Sequence, residues 1–172
     1  SECLVGSEMC IRDSNYTAST RLILKQCGLS DEDIDNRLIK VHGEASNNDI
    51  IFGVEDNAGI KKEHVFLRKA YNIKYKALNF SELYDRIKSV AIFGHSLGET
   101  DHTYFNKLFQ ESCMYNKFST NNNKEFWLFY YKENGYHCMM QQLDSLTHNS
   151  LTSFRQYNRV NFINTDKEKV FI

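Results

Sequence analysis

The stretch Ser89–Phe109, SVAIFGHSLGETDHTYFNKLF, decides the fold class. It opens on SVAIFG (Ser89–Gly94), a continuous apolar run of the kind found in parallel strands buried on both faces. It closes on Tyr104, Phe105, Leu108 and Phe109, whose i, i+1, i+4, i+5 spacing makes a helical stripe. Between them lies a polar turn rich in small residues. A strand feeding a helix through a short turn is the building block of α/β folds.

The same alternation extends outward from this stretch. RLIKVHG (Arg37–Gly43), DIIFGV (Asp49–Val54), EFWLFYY (Glu125–Tyr131) and VNFI (Val160–Ile163) read as further strands. Ser46, Asn47 and Asn48 form the turn between the first two. Helical spacing joins Phe66, Leu67, Ala70 and Tyr71, and again Leu83, Tyr84 and Ile87 after a Ser81 N-cap. Cys138–Phe154 is helical in composition, with a break near Asn149, and Asn121–Asn123 is a loop. The expected architecture is a Rossmann-like three-layer sandwich with a mainly parallel sheet.

Composition narrows the class. The 172 residues are 41% hydrophobic and 13% aromatic, which excludes a disordered chain. A formal charge of −1 lacks the basic profile of a nucleic-acid binder. No apolar run approaches the ~20 residues of a membrane span. The five cysteines (Cys3, Cys10, Cys27, Cys113, Cys138) are odd in number and show no CxxC spacing. That pattern argues against a zinc site or disulfide framework and for a reducing, cytoplasmic setting.

The first residues read differently. Leu4–Asp13, LVGSEMCIRD, resembles the translation of a transposon end used in sequencing libraries. Residues 1–14 are therefore expected to be a non-native tail that packs poorly. Residues 15–172 are then the C-terminal part of a single domain whose natural upstream segment has been cut away.

Ligands of parallel sheets bind at the carboxyl ends of the strands. Two such ends carry small and polar residues, Val41-His42-Gly43-Glu44 and Gly94–Asp101. The helix starting near Asp101 offers free N–H groups to a phosphate or ribose. GHSLG (Gly94–Gly98) also fits G-x-S-x-G, the nucleophile elbow of serine hydrolases. The rest of that triad is poor. Its candidates are Asp101, His102, His137, Asp144 and His148. Asp144 and His148 are only four residues apart, and no HGGG-type oxyanion loop is present. Each residue also has a plainer role. His42 can bond a backbone carbonyl, Ser96 and Asp101 can cap the helix, and Gly94 and Gly98 can be turn glycines. His102 is expected on an exposed helix turn, and His64, His137 and His148 in solvent. Tyr104 and Phe105 are expected in the core.

Several segments together resemble the AbiH-type family of phage abortive-infection proteins. Asn15-Tyr16-Thr17, LIKVHGE, DIIFGVED and AIFGHSLGETDHTYFNKLF match its F-N-Y-T, I-H-G-x, I-I-F-G and G-H-S-L-G-x-x-D-x-x-Y-F motifs in order, except that Ser14 stands where the first motif has Phe. The absence of proline fits AT-rich codons and a bacterial source. The family's usual N-terminal G-N-G-F-D segment is absent. AbiH-type proteins are in turn distantly similar to sirtuin-like NAD-binding domains.

That likeness implies Asn15 beside the nicotinamide ribose and His42 as the catalytic base. It implies Gly43, Gly94, Ser96, Leu97 and Asp101 as nucleotide contacts, with NAD as substrate or ligand and no metal. The four-cysteine zinc module of sirtuins is missing from Asn47–Gly59, so NAD hydrolysis or nucleotide binding is a better analogue than deacetylation. The expected protein is a cytoplasmic antiphage factor with a nucleotide ligand, and a homo-oligomer is open to it. The alternatives are a non-catalytic defence or interaction module and a serine hydrolase acting through Ser96.

Overall fold

A computed structural model describes residues 11–13, 18–40, 42–51, 53–54, 58–72, 84, 87–94, 97–99, 102–114 and 123–167. The chain forms two compact units, Ser1–Leu78 and Asn79–Ile172. Both are α/β, and among the described residues every strand pair is parallel.

In the first unit β1 (Ile11–Asp13) pairs with β2 (Leu38–Lys40). Two helices connect them, α1 (Ser19–Gln26) and α2 (Asp31–Arg37). Local chemistry explains the helix–helix corner. Gly28 sits just past α1 at φ +89. There its N–H bonds Lys25 O, and Leu29 N–H bonds Leu24 O, which is a Schellman ending. The accompanying apolar contact is Leu24 against Leu29; both are buried with Ile34, and half-buried Ile11 and Leu38 pack against them. Ser30 then caps α2 by accepting the Asp33 N–H at 3.1 Å. Arg21 and Lys25 bind Asp31, and Arg21 also binds Asp35, so the two helices are tied by charge as well.

In the second unit β4 (Glu125–Tyr130) lies between β3 (Ser89–Ile92) and β5 (Arg159–Asn164). The register places Val90 opposite Phe126 opposite Val160, and Ile92 opposite Leu128 opposite Phe162. Side chains alternate along a strand, so these six share one face. α3 (His102–Ser112), α4 (Lys132–Leu146) and α5 (Leu151–Tyr157) supply the core against that face through Leu108, Phe109, Met139, Leu143, Leu146 and Phe154. Phe109, Phe126 and Phe154 form an aromatic triad with ring centroids 4.8–5.6 Å apart.

Several expectations need correction. Ile11–Asp13 does not stand outside the fold, because it pairs with β2 and Asp13 is buried. Among the described residues of Asp49–Val54, only Val54 pairs, in an isolated bridge to Arg68. That bridge also explains the 66–71 segment. Arg68 is extended there, so the chain makes two short 3₁₀ turns, Lys62–Leu67 and Lys69–Tyr71, rather than one α-helix. Phe66, Leu67 and Tyr71 are left exposed. β3 is not buried on both faces, since Ser89 and Ala91 are exposed and only Ile92 is fully buried. Ser81 and Leu83 lie outside the described residues. The predicted break near Asn149 is present, with His148 and Asn149 both left-handed between α4 and α5. Among the described residues each unit has its own small parallel sheet, and no helix is long and apolar enough to cross a membrane.

Candidate functional site

The turn after β2 gathers the buried polar groups of the first unit. His42, Gly43 and Glu44 are all buried. The His42 carbonyl accepts the Ile51 N–H at 2.9 Å. The Glu44 N–H donates to Asp49 Oδ1 at 2.7 Å. Gly43 is left-handed at φ +72, and a Cβ added there would lie 2.1 Å from the Asp49 carbonyl oxygen. Glycine is therefore demanded by the chain's own packing. The 3₁₀ turn Ala45–Asn47 closes the loop, and left-handed Asn48 ends it.

Lys40, the last residue of β2, carries the local charge. Its Nζ lies 2.8 Å from Asp13 Oδ2 and 3.5 Å from Glu44 Oε2. All three side chains are largely buried, so the ammonium is partnered where an unpaired charge would be costly. His42 thus sits at the carboxyl end of a parallel strand, on a backbone fixed at its own carbonyl and at Glu44. The Lys40–Glu44 pair was not anticipated, although its four-residue spacing across the H-G turn is visible in the sequence.

In the second unit the loop after β3 has two described left-handed residues. Gly94, at φ +66, has open space where a Cβ would be. It borders an apolar hollow of ≈ 210 Å³ at the carboxyl ends of β3 and β4, with Phe129, Tyr131 and Met139 in its wall. Leu97, at φ +54, is fully buried in the core. A leucine in this conformation is held against a penalty of roughly 1–2 kcal/mol. Any ligand contact made by Leu97 would use its backbone.

One partner of that backbone is His102, the first residue of α3. Its Nε2 lies 3.1 Å from the Leu97 carbonyl oxygen and 2.8 Å from Gln142 Oε1 on α4. His102 was expected on an exposed turn, but it is partly buried between these groups. The other described histidines of this unit face Glu133 (His137, 3.9 Å) and Gln110 (His148, 3.0 Å), and both are exposed. His64 in the first unit is exposed too, as expected. Asp144 lies on α4 and His148 in the turn beyond it. Phe105 packs against the core as expected.

Asn15, Ser96 and Asp101 lie outside the described residues. Among the described residues no group of three His, Cys, Asp or Glu side chains could hold a metal ion.

A family model described as "Bacteriophage abortive infection AbiH" matches residues 4–131. No curated protein and no solved structure matches the chain. The matched span covers most of the sequence and includes both glycine turns, His42-Gly43 and Gly94–Gly98. The chain belongs to the bacteriophage abortive infection AbiH family.

Proposed function

We propose that this AbiH-family chain acts in antiphage defence by binding NAD or an NAD-derived nucleotide and hydrolysing its nicotinamide–ribose bond, with His42 as the base. The fold in this proposal is a Rossmann-like three-layer sandwich with sirtuin-like chemistry, in a cytoplasmic protein. The observation that carries it is the placement of His42, buried at the carboxyl end of parallel strand β2 on a pinned backbone. Ligands of parallel α/β sheets bind at such ends.

The chemistry suits the residues. Water attacks the ribose C1′, the C–N bond breaks, and its electron pair returns to the nicotinamide ring, which loses its positive charge. The water proton passes to the His42 imidazole, a group able to accept it near neutral pH. The developing oxocarbenium-like centre is cationic, and a carboxylate facing it would favour it electrostatically. Asn15 would orient the water or the ribose. Gly94, Ser96, Leu97 and Asp101 take the nucleotide-contacting role by resemblance.

One observation favours a non-catalytic binding module instead. Gly43 has a sufficient structural reason in its contact with Asp49, with no ligand needed. The test is release of nicotinamide from NAD by the purified protein beside its His42→Ala variant. Loss of release in His42→Ala, with fold retained, supports the base. Equal release by both proteins overturns the role of His42. No release by either, with ADP-ribose still bound, leaves the binding module.

A further inference from the structure

We propose that His102 is the positioning residue of the loop after β3, holding Leu97 left-handed through an Nε2–H bond to its carbonyl. That the loop receives a ligand rests on the nucleotide proposal above.

The geometry fixes the protonation. Leu97 O is only an acceptor, so an unprotonated Nε2 at 3.1 Å would face it lone pair to lone pair. Nε2 therefore carries the hydrogen. Gln142 must then present its oxygen, as it does at 2.8 Å, and the one N–H is shared between both oxygens. Three separate parts of the unit meet at this atom: the loop, the first turn of α3 and the middle of α4.

Both helices are rigidly seated. Leu108 and Phe109 anchor α3 in the core, while Met139, Leu143 and Leu146 anchor α4 on either side of Gln142. A second link, Gln110 to His148, joins α3 to the turn after α4. The described part of the loop carries backbone strain. It contains a buried non-glycine residue at φ +54, a conformation that relaxes unless the surroundings hold it. The core holds its side chain, and an imidazole fixed to a packed helix holds its carbonyl. His102 falls on one of the unspecified positions of the D-x-x-Y-F pattern, so the motif itself does not prescribe it. Fixing the Leu97 carbonyl fixes the direction of the Gly98 N–H in the same peptide plane, the group of this turn that a phosphate or ribose would meet.

Two measurements test this on the whole chain. The first is nuclear magnetic resonance of the free protein. Wild type should give the strong intraresidue HN–Hα cross-peak of a positive φ at Leu97, and a proton on His102 Nε2. His102→Ala should lose that cross-peak, and His102→Gln, whose amide can donate to the same carbonyl, should restore it. Gln142→Leu should retain it, because the N–H then serves Leu97 alone. This variant and His102→Gln decide the matter if His102→Ala does not fold. The second measurement is calorimetric binding of ADP-ribose. If the held conformation falls to about a tenth of molecules in His102→Ala, affinity falls about tenfold, and His102→Gln recovers it.

Persistence of the cross-peak in His102→Ala overturns the proposal, as does its loss in Gln142→Leu or failure of a folded His102→Gln to restore it. Loss of the cross-peak without loss of affinity overturns the functional half. If wild type binds no ADP-ribose, the nucleotide reading fails while the holding role of His102 is still decided by the cross-peak.

Discussion

Asn158 accepts the backbone N–H of Lys124 on its side-chain oxygen, at 3.2 Å. Its amide nitrogen donates to Ser112 O at 2.7 Å and Phe154 O at 2.8 Å. One buried amide thus joins the end of α3, the end of α5 and the entry to β4. Asn158→Ala strands three buried backbone groups. At ~1–3 kcal/mol for a buried group left without a partner, partly relieved by entering water, the loss should be roughly 2–4 kcal/mol. Asn158→Asp should be worse, since it turns a donor into an acceptor facing two carbonyls. Urea denaturation of both variants measures this order.

Lys124 closes the same end of the sheet by a different route. Its side chain is fully buried, and Nζ donates to Tyr84 O at 2.6 Å and Ile87 O at 2.7 Å. The ammonium also lies 3.9 Å from the centre of the Tyr84 ring. Lys124→Met keeps the apolar stem and removes the donors. It should cost about 1–3 kcal/mol through the two abandoned carbonyls. Lys124→Arg should not rescue it, because a planar fork does not fit a site shaped for a compact ammonium. Denaturation midpoints that rank Arg level with wild type would contradict this.

Three left-handed glycines separate backbone strain from crowding. Gly28 and Gly94 have nothing within 4 Å of an added Cβ, whereas Gly43 meets the Asp49 carbonyl oxygen at 2.1 Å. Gly28→Ala and Gly94→Ala should each cost only the conformational share, about 1–2 kcal/mol. Gly43→Ala adds a backbone clash and should exceed both clearly. The functional split should run the other way at Gly94. If a nucleotide lies over that turn, Gly94→Ala impairs ADP-ribose binding beyond its small effect on stability. Equal destabilisation by all three substitutions would contradict the steric ranking.

The second unit was largely legible because its signals are local and its core sits beside them. The Tyr104–Phe109 stripe, the β4 run and the break near Asn149 correspond to α3, β4 and the α4–α5 turn. The first unit was harder to read. α1 leaves Leu22 and Ile23 exposed and buries only Leu24, so its apolar residues did not mark a face. Its helices went unread, although Gly28 ends one and Ser30 opens the next. Residues 66–71 misled in the opposite sense, because a helical spacing was overridden by the Val54–Arg68 bridge. At the site, His42 and Gly43 stood out as a pair. His102 with Gln142 did not, since the two are 40 residues apart and only the packing of α3 on α4 brings them together.

The start of α2 gives an acid-dependent prediction. Asp33 is held below the usual carboxylate range, first by the hydrogen bond from the Ser30 hydroxyl, with Arg37 adding a smaller charge effect. Asp31 is likewise lowered, first by its hydrogen bond from Lys25 and then by Lys25 and Arg21 as charges. A carboxyl whose pKa is depressed by folding stabilises the folded state above its ordinary range, and that contribution fades as pH falls through the depressed value. Stability should therefore decline as the solution is acidified below the normal aspartate range. Both carboxylates are exposed, so their share is modest and salt-sensitive. Ser30→Ala removes the cap and the main cause of the Asp33 shift together. Its deficit against wild type should be largest near neutral pH and should shrink in acid, where Asp33 is protonated in both proteins. Urea midpoints for the two proteins at pH 7 and in strong acid measure that gap. A gap of constant size would mean that the Ser30–Asp33 bond contributes nothing that depends on the carboxylate charge.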